Sequence, residues 1–551
     1  MQINSNLLPK SLFFRLFHWN ISPELLSFAL SIYFSIFLNG VLWDELLKTQ
    51  TGSSTSRWTF FCAVYIAVTA LQFLIINLLL WGKSSKWVAL TLLSVTILAS
   101  YYAKTYGVHF DTTMLRNIFT TNPAEAKELL TASLLFHFLQ FGTVPVIVII
   151  FSKIKKPPVL KSLIKKLMWT LIALVVSVGG FLSQYKNFSS TMRNHKEIRH
   201  LVLPTSFLFS SAKITLQSSA EVNQKIRPIG DDAVRAQVPL SKKPEILVIV
   251  VGETVRAANW GLSGYERNTT PLLAEKNVHS FPYATSCGTN TDTSVPCIFS
   301  KEGRHNYDEK AIRSSESLLH VLKKTGFHVS WIDNQSGCKG VCNGLDVFNA
   351  RAMANPKNCT DAACYDEALI DGLEVLLKKN VGNQVIVLHQ LGNHGPAYYA
   401  RYPQEYEKYK PACNTSDLSK CSQQEIINAY DNSVRYTDAV LSKAIDQLKK
   451  HSDKSTSLIY MSDHGESLGE NGIYLHGLPY SIAPSYQTQV PFLVWLSDNY
   501  KKDYPPIDAC FKEKSKSPAH HDNLFHTVLG MFNIKTTIYE RDFDLTAKCH
   551  G

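Results

Sequence analysis

The sequence predicts two structural parts in one chain: an α-helical membrane domain of five transmembrane helices, then an α/β domain built on a central, mainly parallel sheet. Three observations carry this. Residues 22–185 are rich in Leu, Ile, Val and Phe, in long runs almost free of charge, the composition of a chain whose solvent is hydrocarbon. Residues 240–551 have the mixed composition of a soluble domain and are numerous enough for a full core. Within them, short apolar runs alternate with amphipathic stretches, the pattern of strands covered by helices. At 551 residues the chain is too long for one ordinary domain.

In chain order, five stretches reach the roughly 20 apolar residues that cross a bilayer, at about 22–43, 58–81, 87–106, 132–152 and 167–185. The first is long and lacks a small-residue cleavage site, so it reads as a retained anchor. The loop between the fourth and fifth carries Lys153, Lys155, Lys156, Lys161, Lys165 and Lys166 with no acid. The loop between the second and third has Lys83 and Lys86, and the N-terminus has Lys10 and Arg15. The alternate loops mix Asp44 and Glu45 with Lys48 and Arg57. Basic residues stay cytoplasmic; the N-terminus is therefore inside, and five crossings put everything after Tyr185 outside. The formal charge of +11 comes partly from these lysines, with attraction of anionic lipid heads a secondary reading. Nucleic-acid binding is not expected of a chain that leaves the cytoplasm.

These limits divide the chain into a membrane domain at 1–185, a connector at 186–240 broken by Pro204, Pro228 and Pro239, and an α/β domain at 241–551. Between the third and fourth spans, Thr105 to Leu130 is polar. Asn117, Thr121 and Glu125 are spaced four apart and would share one helix face. Such a face is either solvated or a lip that holds a substrate head group near the membrane. Of eleven cysteines, Cys62 lies in an apolar segment and the other ten fall between 287 and 549. Neighbour spacing suggests Cys287–Cys297, Cys338–Cys342, Cys359–Cys364 and Cys413–Cys421, leaving Cys510 and Cys549, although spacing does not fix the connectivity. With no C-x-x-C pair to favour zinc, disulfides in an oxidising compartment such as a bacterial periplasm are expected.

Three apolar runs each end in a ligand type. Glu245–Val251 runs into Gly252-Glu253, Gln384–Leu388 into His389-Gln390-Leu391-Gly392-Asn393-His394, and Ser457–Met461 into Ser462-Asp463-His464-Gly465. Carboxylates and imidazoles at the C-terminal edge of a parallel sheet are placed to hold a divalent cation. Ser314–Lys324, Tyr365–Lys379 and Glu425–Lys450 read as helices, and His328–Ile332 as a strand. The turn 285–297 is rich in hydroxyls: Thr289, Thr291, Thr293 and Ser294. Each would serve as an ordinary cap, or one as a nucleophile at a helix N-terminus, where N–H groups favour phosphate charge. A threonine hydroxyl needs a base or metal to ionise it.

Gly252-Glu253-Thr254-Val255-Arg256, the Cys287-to-Cys297 turn, Gly392-Asn393-His394-Gly395-Pro396-Ala397-Tyr398 and the Ser462-to-Gly472 run, in that order, resemble the bacterial phosphoethanolamine transferases, which include the mobile colistin-resistance enzymes. The resemblance covers nearly the whole chain and implies a periplasmic domain of alkaline phosphatase and sulfatase type. By position it implies Thr291 as the nucleophile, with Glu253, Asp463 and His464 sharing one tight zinc with it. It implies His394 and His476 as catalytic histidines of a second, weaker zinc or head-group site, and Ser336 and Lys339 as head-group contacts, with Gln335 standing where the colistin-resistance enzymes carry Asn. Asn117, Thr121 and Glu125 match substrate-binding residues of the membrane domain. Glu466 and Glu470 read as structural, and His451, His520 and His521 as ordinary histidines.

The implied reaction moves phosphoethanolamine from phosphatidylethanolamine to lipid A through a modified threonine, releasing diacylglycerol and lowering surface charge. Implied with it are a place in the bacterial inner membrane as a multi-pass monomer and resistance to polymyxins. The alternatives are a core heptose of lipopolysaccharide as acceptor, or a related glycerol-phosphate transferase. A sulfatase would need a modifiable Cys or Ser pattern that Cys287 lacks, and a non-enzymatic binding head would have no reason to retain the whole ligand set.

Overall fold

The structure, a computed structural model, describes residues 20–50, 53–121, 123–155, 158–221, 226–236, 243–360, 363–379 and 382–549. Lys10, Arg15, Lys156 and Pro239, used above, lie outside these. The chain forms two compact units, one of residues 1–112 and 132–214, the other of 113–131 and 215–551.

Among its described residues the first unit holds four helices long and apolar enough to cross a membrane: Ser54–Leu79, Gly82–Tyr106, Ala132–Phe151 and Val159–Ser183. The pair Pro23–Leu38 and Gly40–Lys48 meets at 60° and counts as a fifth span if taken together. Asn39 sits at the bend and satisfies the polar groups it frees. Its side-chain amide donates to the carbonyls of Phe34 and Leu203 at 2.9 and 2.8 Å and accepts from Leu203 N–H at 2.8 Å. Irregular backbone at membrane depth persists only with such partners. The last helix begins at Val159, before the apolar run that starts near 167, because lysine stems can lie along apolar surface while the ammonium reaches water. Lys166 instead turns inward and donates to the carbonyls of Asn77 and Leu80.

Gly180 brings Val159–Ser183 against Ser54–Leu79: a Cβ on it would lie 2.8 Å from Ala67 Cβ and 3.0 Å from the Ala63 carbonyl. Small residues permit close approach where no hydrophobic force drives helices together. The connector is not irregular. Helices Tyr185–Asn194 and Thr205–Glu221 form within it, and Pro204 immediately precedes the second rather than interrupting it.

The second unit is organised by an eight-stranded sheet. Its strands in chain order are β1 (Glu245–Gly252), β2 (His279–Thr285), β3 (His328–Asp333), β4 (Asp346–Asn349), β5 (Gln384–His389), β6 (Ser455–Ser462), β7 (Gln489–Leu496) and β8 (Ala519–His520). The spatial order is β8-β2-β7-β6-β1-β5-β3-β4. Only the pairings of β7 with β2 and β6 are antiparallel, so the sheet is mainly parallel, as the unbroken apolar runs predict. Every residue of β1, β5 and β6 is buried.

Between them run helices Leu318–Lys324, Glu367–Lys379 and Gln423–Lys449. The first starts four residues later than its pattern suggests, because a separate short helix, Glu309–Arg313, precedes it. Five disulfides form, Cys510 pairing with Cys549 and the other four joining neighbours in sequence. Cys62 is free.

Segment 113–131 belongs to this second unit, and it is not one helix. Thr112–Thr120 ends and Pro123–Glu128 begins anew. Pro disfavours the helical conformation in the residue before it and is well tolerated at a helix start. Asn117, Thr121 and Glu125 therefore do not share a continuous face.

Gly180→Val should overpack the helix pair at Ala67. A loss of about 1–3 kcal/mol is expected, read as a lower unfolding temperature of the detergent-solubilised chain.

Candidate active site

The site is assembled where β1, β3, β5 and β6 end. Parallel pairing sets Gly252 opposite Ser462, so the next residues, Glu253 and Asp463, emerge side by side from strands about 4.8 Å apart. Loop crevices at the carboxyl ends of parallel strands are the general ligand position of such sheets. Gly392, after β5, has φ +56, and a Cβ there would lie 2.5 Å from the Glu253 carbonyl. Only glycine lets the two loops touch.

Glu253, Asp463 and His464 form a buried trio whose ligand atoms all lie within 4.8 Å of one another. His464 Nε2 is 3.3 Å from Glu253 Oε1 and 3.4 Å from Asp463 Oδ2. Thr291 opens the helix Thr291–Ile298, whose N-cap, Asn290, accepts from Thr293 N–H. Its Oγ1 donates to Glu253 Oε2 at 3.1 Å and lies 3.5 Å from His464 Nε2. The structure thus brings together all four residues of the expected metal and nucleophile set.

Around them, Thr254 (φ 62) donates its hydroxyl to Glu253 Oε1 at 2.6 Å and its N–H to Asp463 Oδ1 at 3.2 Å. Gln335 Nε2 donates to Glu253 Oε2 at 3.1 Å. The buried Asp463 Oδ2 has no hydrogen-bond partner among the described residues. Burial and the Glu253 charge push Asp463 up to about 7. Burial works to raise Glu253 as well, but its hydrogen bond to His464 and that ring's charge hold it well below the usual carboxylate range. Two buried carboxylates and one imidazole, with an oxygen left over, make a donor set suited to a divalent cation.

The two further histidines sit beside the trio in different electrostatic settings. The His476 ring is centred 4.3 Å from His464 and 5.3 Å from His394. Burial, and then the charge of His464, lower the pKa of His476, which shares its Nδ1 with Glu466 Oε2 at 2.8 Å. Glu466 in turn accepts from the buried Tyr398 hydroxyl at 2.6 Å. His394 Nε2 pairs with Glu125 Oε1 at 2.8 Å. Burial pulls His394 down, but the Glu125 charge and hydrogen bond outweigh it and push the ring up to about 9. Two neighbouring imidazoles are thereby driven apart in pKa.

Glu125 is the one residue of the expected Asn117, Thr121 and Glu125 trio that reaches the histidines; Thr121 donates to the Asn117 carbonyl instead. Glu128 pairs with Arg401, which holds the His394 carbonyl at 2.6 Å. Arg116 pairs with Glu309. These partners lie hundreds of residues away along the chain, and no local spacing could have identified them. Ser336 and Lys339 contact each other, Nζ to Oγ at 2.6 Å. A polar pocket of 190 Å³ opens beside His394, lined by Glu125, Glu128, Asp333, Gln335 and Arg401. A larger cavity of 660 Å³ runs along the far end of the Thr291 helix, past Pro296 and Phe299, and contains none of the trio.

Also unread from sequence was the pair His389–Asp333, at 2.8 Å, beneath the 334–340 loop. Asp333 accepts from Gly337 N–H at 2.9 Å. The position of His389 at the last residue of β5 is the only local signal for it. Glu466, read as structural, has a definite task in holding His476. His521 accepts at Nδ1 from Cys287 N–H at 3.0 Å and donates from Nε2 to the Ser462 carbonyl at 2.9 Å, and braces the backbone on either side of the site.

Two family models match the chain: a sulfatase model over residues 245–534 and one described as phosphoethanolamine transferase EptA/EptB over residues 68–218. The phosphoethanolamine transferase EptA of Salmonella typhimurium is 38% identical over 529 residues, covering 94% of this chain and 95% of its own. The phosphatidylethanolamine transferase Mcr-1 of Escherichia coli is 36% identical over 536 residues, with 94% and 96% covered. The solved integral membrane lipooligosaccharide phosphoethanolamine transferase A of Neisseria meningitidis superposes with a TM-score of 0.90 at 32% identity, covering 96% of this chain and 99% of that one.

The His394–Glu125 pair should tie segment 113–131 down in a pH-dependent way. His394 is raised above its ordinary 6.5, so its contribution is complete below that pH and lost as pH climbs through about 9. Glu125 is lowered, so its share is lost only as pH falls below its ordinary 4.5. Hydrogen exchange in 113–121, corrected for intrinsic rates, should therefore quicken between pH 7 and pH 10, and Glu125→Gln should abolish that change.

Proposed function

The chain belongs to the phosphoethanolamine transferase family, and from that premise we propose that it transfers phosphoethanolamine from phosphatidylethanolamine to a phosphate of lipid A, with Thr291 as the covalent carrier. It is a multi-pass protein of the bacterial inner membrane with its α/β domain in the periplasm. The observation that carries the reading is the Thr291 hydroxyl held 3.1 Å from Glu253 inside the Glu253, Asp463 and His464 cluster. Relatives named for lipooligosaccharide and for Kdo(2)-lipid A support a lipid A acceptor.

The cation is zinc in this reading, held by Glu253, Asp463, His464 and the Thr291 oxygen, a set of nitrogen and oxygen donors that zinc accepts. When bound, it lowers the pKa of the Thr291 hydroxyl and offsets charge on the phosphoryl oxygens. Thr291 Oγ, its proton given up to solvent, attacks the phosphorus of the donor, and the bond from phosphorus to the diacylglycerol oxygen breaks. His394, kept protonated by Glu125, donates its proton to that departing alkoxide; its buried Nδ1 has no other partner among the described residues. Phosphoethanolamine is now bonded to Thr291 and diacylglycerol stays in the bilayer. An acceptor phosphate then gives its proton to His476, attacks the same phosphorus and releases Thr291; His476 passes its proton to solvent and His394 takes one up, which restores the starting state. Acid and base duties fall to the groups whose surroundings separate their pKa values, and Glu466 orients His476 for the second step.

Asn117, Thr121, Ser336 and Lys339 serve the head groups, Lys339 offering its ammonium to a phosphate. Both substrates are lipids, which gives the catalytic unit a reason to be tethered to the bilayer. The enzyme acts as a monomer in this reading. The product carries an added ammonium, so the cell surface becomes less anionic and binds cationic peptides such as polymyxins less well.

Thr291→Ala should lose transfer by several orders of magnitude, the scale of nucleophile removal, with circular dichroism unchanged. Mass spectrometry should find phosphoethanolamine on the wild-type Thr291 peptide after donor is added and none on the variant. Turnover by the variant would refute the assignment. Stripping the protein with a strong chelator should silence it, and zinc should restore it better than magnesium.

A further inference from the structure

The membrane unit contains a cavity that this chemistry does not use. It measures 490 Å³ and lies among the helices Pro23–Tyr33, Ser54–Leu79 and Val159–Ser183. Phe28, Ile32, Phe73 and Trp169 make its apolar wall, and Glu24 and Lys165 line it as well. Glu24 follows Asn20–Ile21, which pairs in parallel with Lys153–Ile154, at the end of the unit that the basic loop marks as cytoplasmic.

From Ser22 to Ile32 the helix climbs about 15 Å at 1.5 Å per residue. That is half of a hydrocarbon core of roughly 30 Å, so the cavity has the depth of one leaflet. Leu25, Phe28, Ile66 and Ile172 along it are exposed on the flank of the unit, which opens it sideways to lipid.

Glu24 is only 7% exposed, and its Oε1 has no hydrogen-bond partner among the described residues. Two neighbouring polar groups have other partners, although the Lys166 ammonium is near enough for its charge to act on Glu24. The Ser22 hydroxyl accepts from Leu25 N–H, and the Lys166 ammonium donates to the carbonyls of Asn77 and Leu80. A buried carboxylate oxygen without a donor is costly.

We propose that this groove binds a phospholipid of the cytoplasmic leaflet whose head carries a primary ammonium, the ammonium donating to Glu24 and the phosphate lying against Lys165. A glycerol head would give Lys165 its anion but bring Glu24 no cation. A choline head would bring charge without an N–H. The chains fill the groove lined by Phe28, Phe73 and Trp169. This site is independent of the transfer reaction proposed above.

The test uses the full-length protein in lipid nanodiscs, with photoreactive acyl-chain analogues of phosphatidylethanolamine, phosphatidylcholine and phosphatidylglycerol in separate arms. Labelled peptides are mapped by mass spectrometry, which separates this groove from any donor lipid bound elsewhere. Peptides spanning 23–33 and 169–176 should label about threefold or more above the other two heads with the ethanolamine analogue, a difference of under one decade in affinity. Glu24→Gln should erase that preference, and Lys165→Ala should lower labelling by the ethanolamine and glycerol analogues. Equal labelling of the wild-type groove by all three heads, as expected of annular lipid, overturns the proposal. So does an unchanged preference in Glu24→Gln. If the variants do not fold, the three wild-type arms decide alone.

Discussion

The parallel pairing of β1 with β6 is the constraint on which the rest of the catalytic unit depends. Gly252 faces Ser462 across that ladder, so the chain has no choice but to present Glu253 and Asp463 together. A slip of one residue would turn every side chain of either strand to the opposite face. Both strands are buried on both faces, which makes such a slip prohibitively expensive. The accumulation of negative charge at the sheet edge is thus enforced by hydrophobic packing. The electrostatic cost falls on Asp463, whose carboxyl is pushed up to about 7 by burial and by Glu253. A divalent cation is the natural counterweight.

Charge is then distributed outward in matched pairs. Tyr398 and Glu466 hold His476, Glu125 holds His394, and Arg401 holds both the His394 carbonyl and Glu128. Glu466 and Glu125 each fix a ring by one nitrogen and leave the other for chemistry, the usual way a hydrogen bond selects the tautomer of an imidazole. Segment 113–131 supplies two of these three acidic residues, Glu125 and Glu128, although it lies, in sequence, between two apolar spans. A stretch of chain flanked by membrane helices therefore sets the protonation of a histidine after β5.

The membrane unit follows a stricter rule, since hydrocarbon offers no hydrogen bonds. Its helix break is closed by Asn39 and Leu203, reinforced by Gln72, which donates to the same Leu203 carbonyl at 2.9 Å. Lys166 is closed by two carbonyls. Among the described residues of this unit, buried oxygens of Glu24, Asn77, Thr205 and Ser206 lack a hydrogen-bond partner, and of these only Glu24 lines the groove.

The sequence by itself determined the apolar spans and the buried strands β1, β5 and β6, and it marked Glu253, Asp463 and His464 as candidate ligands, because each is written in a local pattern: a run length, an unbroken apolar stretch, or a motif at a strand's end. Thr291 was singled out from the hydroxyls of its turn only by the family resemblance. It overestimated continuity at 117–125, where Pro123 begins a second helix, and placed the start of the last span too late, because lysines at a helix end look like loop. It did not reveal that Gln335 reaches Glu253, that Asp333 underpins His389, that Cys510 joins Cys549, or that Glu125 rather than Asn117 meets His394. Those contacts join residues 39 to 269 positions apart. They depend on which faces meet once the sheet has closed, and a linear pattern records what a residue's neighbours are along the chain, not which distant charge will be buried against it.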